Sequence, residues 1–452
     1  MRLAAVVVIL ALGPAPLPAQ SPASLVVLHT FTSIKGDGAS PAAGLVLSGN
    51  TLYGTTSAGG VTGYGTIFQV NTDGSGFSTL YTFTNGTDGA TPKGPLLLAG
   101  GVLYGTASAG GYSSYGTVFS FNIGGSNFST LYTFADGVDG AKPAAGLVLS
   151  GNTLYGTTQG TLSGSSYGTV FMLNTNSSGF TLIHHFSAPS GNSDGYQPLG
   201  PLLLSGGTLY GTATDGGANG TGTLFTNNGS SFGHIYTFPS GYFGGPNSGG
   251  ANPQGGVVVA GSTLYGAAYS GGSNGLGMIY KIGQSGSGFS QLYAFPDGEG
   301  NYDPQGPLTL SGNMIYGATT YTIFGLTTNG TGYTNLYSFP FTGNNGSGVY
   351  TNATGSAPNG GLVLAGGSFY GTAQDGGANG FGTVFALNQL PAAIPLTIQE
   401  TPGNVVLTWT NAAFALQSAP GPSGPFTNIL NATSPFTNAI TGSQMYFRLL
   451  AN

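Results

Sequence analysis

The sequence predicts an all-β chain: a seven-bladed β-propeller closed by its N-terminal strand, followed by a small β-sandwich-like C-terminal module. Three observations predict it. An L-Y-G-type triplet ends at Gly54, Gly105, Gly156, Gly211, Gly266, Gly317 and Gly371, at spacings of 51, 51, 55, 55, 51 and 54 residues. Self-similarity near that period marks a propeller or a solenoid. Each repeat divides into four short β-rich runs bounded by turn residues, the pattern of a propeller blade. The last run of the unit also stands alone before the first repeat and is missing after the last one, an offset that a ring needs and a solenoid does not.

In the first repeat, Leu45-Val46-Leu47 and Thr51–Thr55 flank Ser48-Gly49-Asn50, a hairpin signal that supplies strands a and b. After Gly59-Gly60, Gly65–Val70 reads as strand c, and after the turn at Asn71–Gly76, Phe77–Phe83 reads as strand d. Leu80, Tyr81 and Phe83 break strict alternation, as expected of a blade packed between two neighbours. Strand d recurs at Leu25–Phe31, Phe128–Phe134, Phe180–Phe186, Phe232–Phe238, Phe289–Phe295 and Tyr333–Phe339, whereas the last repeat stops after strand c at Gly382–Leu387. The N-terminal strand is therefore expected to complete the final blade and to cover an otherwise open sheet edge.

These residues carry a resemblance. The phrase P-x-x-G-L-V-L-S-G-x-x-L-Y-G-T-T-x-x-G-G, continued by Y-G-T-V-F and F-S-x-L-Y-T-F, resembles the GloVer tandem repeat of "choice-of-anchor" exported bacterial proteins over residues 25–388. The resemblance implies export and often a terminal anchor segment, and it brings no established activity with it. No sorting motif with a hydrophobic helix is read here. The double glycine after strand b is similar, more weakly, to kelch blades.

The expected organisation is a signal peptide at 1–20, the propeller at 21–389, a linker at 390–395 and a fibronectin-III-like β module at 396–452. Arg2 supplies the charged start of the leader and Leu3–Leu12 its apolar run, too short to span a bilayer. In the C-terminal module short strands are expected at Leu396–Gln399, Val405–Trp409, Phe414–Ser418, Phe426–Leu430 and Met445–Leu449. At about 60 residues the module is small for independent stability.

Composition narrows function further. Cysteine is absent, so no thiol chemistry is available and an exported chain must rely on its core rather than on disulfides. Only six Lys/Arg are present, which rules out a nucleic-acid partner held by many phosphate contacts. No transmembrane segment is read after the leader. The expected location is secreted or at the cell envelope, and the expected partner is a polysaccharide or a surface protein.

No catalytic constellation is visible, and no cofactor or metal is expected. The four histidines, His29, His184, His185 and His234, all fall in d strands, where they replace the Tyr or Thr of the phrase. His184 and His185 are adjacent and point to opposite faces of a strand, so they cannot share one metal. Asp37, Asp88, Asp139 and Asp194 share a position in the d–a loops, each four residues before its proline, Pro41, Pro92, Pro143 and Pro198. Two readings stand for them: a partial carboxylate ring that binds Ca²⁺ near the channel mouth, or an Asp-Gly turn whose carboxylate accepts its own backbone N–H groups. Recurrence favours the turn, and Gly249, Gly300 and Thr354 occupy the position in the remaining repeats. The double glycines lack the Lys-Ser/Thr ending of a phosphate loop and are expected as left-handed turns.

Function on a repeat scaffold concentrates where the repeats differ. From the L-Y-G glycine to strand c takes 11 or 12 residues in six repeats, but only four, Gly317 to Tyr321, in the sixth. The lost b–c loop predicts a notch at blade six, flanked by long d–a loops at 238–253 and 339–358. Asp297, Glu299, Tyr302, Asp303, Tyr321, Phe341 and Tyr350 are the expected ligand-binding residues there, since aromatics beside carboxylates and amides suit sugar or peptide recognition. Three functions follow in order: a non-catalytic binding or adhesion protein; a secreted polysaccharide-degrading enzyme using Asp297, Glu299 or Asp303 as acid and base; and a self-associating envelope component.

Overall fold

A computed structural model describes residues 24–388 and 397–451, apart from 33–35, 125–126, 136–138, 162–166, 188–192, 241–244, 297–302, 341–342, 345–349, 402–403, 409–413, 420–426, 430–431 and 440–445. The expected leader and the expected linker lie outside the described residues. Ser24–Leu387 form one compact unit, and the chain beyond it belongs to a second.

The first unit is a succession of seven four-stranded sheets, the blades of a propeller. In the first, strands a to d are Val46–Ser48, Thr51–Thr56, Thr66–Asn71 and Ser78–Thr82. In the seventh, Val363–Ala365, Ser368–Ala373 and Thr383–Asn388 are a to c, and the d strand is Ser24–Thr30 from the opposite end of the chain. The ring therefore closes as its offset phrase requires.

The core lies in the seams between blades. Phe83, fully buried at the end of one d strand, meets Phe119 of the next blade edge-on at 5.2 Å. The same pair recurs at every seam, from Phe31–Phe68 at 5.2 Å to Phe339–Phe385 at 5.4 Å. Beside it runs a second, stacked pair: Tyr81 on Phe128 at 4.0 Å, with His29 on Phe77 and His184 on Phe232 in the same place. Edge-to-face and offset-stacked rings each add about 1 kcal/mol beyond the area they bury. The phrase's aromatics are thus the glue between blades.

The c-strand ring also explains the repeated glycine. Gly54 pairs directly with Phe68, and a Cβ on Gly54 would lie 2.6 Å from Phe68 Cζ. Every L-Y-G glycine meets the equivalent ring at 2.3–2.7 Å. The glycine is there to let a ring lie flat over the backbone. In blade five that ring is Tyr280, whose buried Oη has no hydrogen-bond partner. Restoring the phrase with Tyr280→Phe is expected to raise stability by about 1–3 kcal/mol, the cost of an unsatisfied buried polar group. Chemical denaturation checks this; an unchanged or lower midpoint would refute it.

The irregular alternation of strand d has a further cause. Pairing runs Ile67↔Tyr81 and then Phe68↔Thr79, so Leu80 is a bulged extra residue. The shift recurs in blades two to six. A bulge turns neighbouring side chains to one side, which lets consecutive apolar residues both serve the seams.

On the face carrying the d–a and b–c loops, the residue before each loop proline adopts a left-handed backbone: Ser40, Thr91, Lys142, Gln197, Asn252, Asp303 and Ala357, at φ of 53–59°. This conformation costs a non-glycine residue about 1 kcal/mol or more. Seam hydrogen bonds offset it. Thr91 N–H donates to Tyr64 O of the preceding blade at 2.9 Å, and Thr91 O accepts from Ser108 N of the following blade at 3.2 Å.

The second unit contains two three-stranded antiparallel sheets, Thr397–Thr401, Asn404–Thr408 and Phe436–Ala439 in one, Thr427–Asn428, Phe414–Ala419 and Tyr446–Ala451 in the other. Leu407 and Leu416 centre a small core with Val405, Phe436 and Phe447. Phe436–Ala439 was not expected from the sequence, because half of its four residues are polar and no alternation extends beyond them. Among the described residues no helix is long and apolar enough to cross a membrane.

Candidate functional site: the loop face of the propeller

Outside blade six, each d–a loop is bonded to the following b–c loop through its backbone, for example by the antiparallel pairing Gly38↔Gly59 and Ala39↔Ala58. The double glycines make this possible. Gly59 and Gly60 have φ of 75° and 77°, and a Cβ on Gly59 would touch the Gly38 backbone at 2.6 Å. Both loops therefore share one face, and its most variable part is the place to look for a site.

The shared aspartates prove to be structural. Asp88, 7% exposed, accepts hydrogen bonds from Tyr81 Oη at 3.0 Å, Thr84 N and Oγ1 at 2.7 Å, and Gly86 N at 3.1 Å. Asp37 accepts from Thr32 N and Oγ1 at 2.9 Å, Gly38 N at 2.9 Å and His29 Nε2 at 3.3 Å. Asp139 and Asp194 repeat the arrangement with Tyr132 and His184. Asp37, Asp88 and Asp139 cap the N–H of the residue that follows the buried d-strand Phe, Asp194 accepts from the Ser187 hydroxyl there, and each holds the aromatic or imidazole tip of the stacked pair. Burial pushes the Asp37 and Asp194 carboxyls up, but hydrogen bonds from His29 and His184 and from Thr32 and Ser187 outweigh it and leave both below their usual range.

A covariation within the chain confirms the role. Thr32, Thr84, Ala135 and Ser187 follow the Phe where the Asp is present, and Pro239, Pro296 and Pro340 follow it where Gly249, Gly300 and Thr354 replace the Asp. Proline offers no N–H to cap. At blade four a side chain would not fit in any case, since a Cβ on Gly249 would lie 2.3 Å from Pro239 Cγ. The calcium-ring reading is corrected accordingly: the carboxylates are occupied by their own loops. No cluster of three or more His, Asp or Glu side chains poised for a metal occurs among the described residues.

The channel gives no room for a ligand either. Its P-x-x-G segments meet backbone to backbone, with a Cβ on Gly255 falling 2.3 Å from Gly306 O. They enclose about 110 Å³, lined by Gly, Ala and Pro with Lys93, Leu199, Gln254, Gln305 and Asn359. Ligand pockets for small molecules run to about 300–1,000 Å³.

At blade six the b–c connection is a tight turn, with Thr319 N–H donating to Thr322 O at 2.9 Å between Met314–Ala318 and Thr322–Thr327. Tyr321 stands where the other blades place a left-handed glycine such as Gly65, and its carbonyl accepts from Phe339 N at 2.7 Å just as Gly65 O accepts from Phe83 N. Asp303 is one of the seven pre-proline residues. Its N–H donates to Leu276 O at 3.2 Å, and burial raises its carboxyl while a hydrogen bond with Tyr269 partly offsets the rise. Tyr321 is thus tied to its own blade and Asp303 to blade five. Tyr350 pairs with Asn344 in a two-stranded hairpin, Gly343–Asn344 with Tyr350–Thr351. Asn352 clamps its base, donating to Pro340 O at 2.9 Å and accepting from Gly377 N at 3.0 Å. Asp297, Glu299, Tyr302 and Phe341 lie outside the described residues, as does the Tyr350 side chain.

Among the described residues, three of the four large apolar side chains that stand exposed lie elsewhere on this face, the fourth being Val26 in the N-terminal strand. Tyr112 is 89% exposed, Val61 77% and Tyr64 40%, all in the b–c loops of blades one and two. Thr91 joins these loops through its two seam hydrogen bonds. The sequence signal for this patch was present but weak: Tyr64, Tyr115 and Tyr167 recur at one position of the phrase, and such a Tyr reads as readily as seam packing.

The fold and this face define a closed seven-bladed propeller whose loop side carries the variation. The chain belongs to the Gloeobacter/Verrucomicrobia repeat family, whose model matches it over residues 19–225 and 161–355. A comparison with curated protein sequences returns no match. Among solved structures, the extracellular domain of a one-component system from B. thetaiotaomicron is similar, with a TM-score of 0.51 and 10% identity over 86% of this chain and 44% of that one. A nidogen/laminin complex aligns at 0.40 and 13% identity over 61% of this chain and 90% of its own. The tricorn protease aligns at 0.40 and 10% over 92% and 40%. At such identities the first likeness speaks for the fold alone.

Proposed function

We propose that the protein is an exported, non-catalytic binding module that holds a polysaccharide or a surface protein against its loop face. The observation that carries this reading is the exposed group Val61, Tyr64 and Tyr112 in adjoining loops, joined through the backbone of Thr91. Exposed apolar patches rimmed by polar groups mark interaction sites. Aromatic faces beside hydroxyls offer both stacking area and directional bonds. Export is supported by the leader-like N-terminus and by the family. The notch at blade six and the 343–351 hairpin extend the same face.

The test is retention of the protein on a panel of bacterial, algal and plant polysaccharides and on whole cell envelopes. Tyr112→Ala combined with Tyr64→Ala is expected to weaken retention at least tenfold with the melting temperature unchanged. Tyr350→Ala tests the notch in parallel. Retention indifferent to all three changes would sink the loop face as the binding surface, and release of soluble sugar, lost in Asp303→Asn, would replace this reading with the hydrolytic one.

A further inference from the structure

The seam between blades four and five is one of three that lack the d–a aspartate, and a pocket lies there. In the first four d–a loops the space beside the d-strand Tyr or His is filled by the Asp carboxylate. Here Pro239 and Gly249 stand in for the capped residue and the Asp, and the Pro239 ring packs against Gly249. An open pocket of about 540 Å³ lies beside them, within the range of small-molecule sites (about 300–1,000 Å³).

Its lining is specific. Tyr236 lies stacked on Phe289 at 4.0 Å and 5°, and both rings border the pocket. Burial alone raises the Tyr236 hydroxyl, to about 12, whereas Tyr81 and Tyr132 owe part of their rise to an aspartate partner. Gln291 also borders the pocket, and its Oε1 is buried with no hydrogen-bond partner. A buried acceptor left open costs stability, and a ligand donor satisfies this one once the Gln291 side chain turns toward the pocket. Ser248, Ser273 and Ser290 add hydroxyls, and among the described residues no charged side chain borders the pocket. The loop from Phe238 to Pro253 carries no charge either.

We propose that this pocket binds one or two residues of a neutral sugar. A sugar ring supplies closely spaced hydroxyls that both donate and accept, as Gln291, Tyr236 and the serines require, together with a C–H face for the aromatic pair. An acidic sugar would bury a carboxylate with no cation to meet it. A peptide would want a row of backbone partners, and the pocket offers side-chain hydroxyls and one amide. The site stands apart from the loop patch of blades one and two and does not depend on it.

Saturation-transfer NMR and calorimetry with cellohexaose, laminarihexaose, xylohexaose and mannohexaose test the proposal, with oligogalacturonate and a Gly-Ser decapeptide as the acidic and peptide arms. At least one neutral hexasaccharide is expected to bind. Tyr236→Phe, which keeps the stack on Phe289, is expected to weaken it about tenfold. Gln291→Leu is expected to weaken it by at least as much while holding or raising the melting temperature, because it also removes the open acceptor. A residue with a purely structural role would not combine those two effects. The proposal is overturned if no neutral hexasaccharide binds, if binding survives both changes, if only the acidic or peptide arm binds, or if binding is lost only in Tyr112→Ala. The last result would leave the loop-face reading standing.

Discussion

A chain that begins at Thr32, and so lacks the strand Ser24–Thr30 and the ring of Phe31, is expected to lose cooperative folding of the propeller altogether. Phe31 is fully buried and faces Phe68 of blade one at 5.2 Å. His29 stacks on Phe77 at 3.4 Å, Phe31 N donates to Gly382 O at 3.1 Å, and Asn379 Nδ2 donates to Phe31 O at 3.2 Å. Removing one buried Phe side chain costs about 3–5 kcal/mol. Removing the whole strand adds its ladder and bares the c-strand edge of blade seven. The sum rivals the total stability of an ordinary domain, about 5–15 kcal/mol. Denaturant unfolding and size-exclusion chromatography read the result, and a synthetic peptide of residues 24–31 added in trans is expected to restore a sharp transition. A truncated chain that unfolds cooperatively at the full-length midpoint would show that ring closure is not what holds this propeller.

Gly105→Ala is the second large effect, an expected loss of about 3 kcal/mol from overpacking. A Cβ on Gly105 would sit 2.4 Å from Phe119 Cζ and 2.9 Å from Leu96 Cδ2. The ring cannot retreat, because Phe83 meets it at 5.2 Å and Phe128 at 5.4 Å from the neighbouring seam elements. Gly105 is not among the glycines with positive φ, so space rather than backbone conformation demands it. That distinction is measurable. Phe119→Leu in the Gly105→Ala background is expected to recover part of the loss, giving a coupling of about 1 kcal/mol or more in a double-mutant cycle. Strictly additive losses would point back to the backbone.

Much of the architecture was legible in the residues. A strong local pattern repeated seven times leaves little choice about strands, and a d strand standing alone at Leu25–Phe31 already implies closure. The tight turn at blade six followed from counting residues between Gly317 and Tyr321. The role of the d–a aspartates was half legible. Recurrence pointed to a turn, and the exchange of Thr84 for Pro239 alongside Asp88 for Gly249 was in plain view. Only the bonds to Tyr81 and Thr84 give that exchange its meaning. The bulge at Leu80 was hidden because one extra residue shifts register without altering composition.

The site was less legible than the fold, for a physical reason. Strand, turn and blade are decided by local propensity and by a repeated pattern of apolar side chains, so the sequence by itself determined a closed ring of seven blades and the family it belongs to. Whether an aromatic side chain is glue or surface depends on what packs against it from the next blade. Tyr81 and Tyr112 are both tyrosines of the same repeat family of loops and strands, yet one is stacked in a seam and the other is 89% exposed. Only the tertiary structure decided that, and only it showed a pocket beside Tyr236 and Phe289.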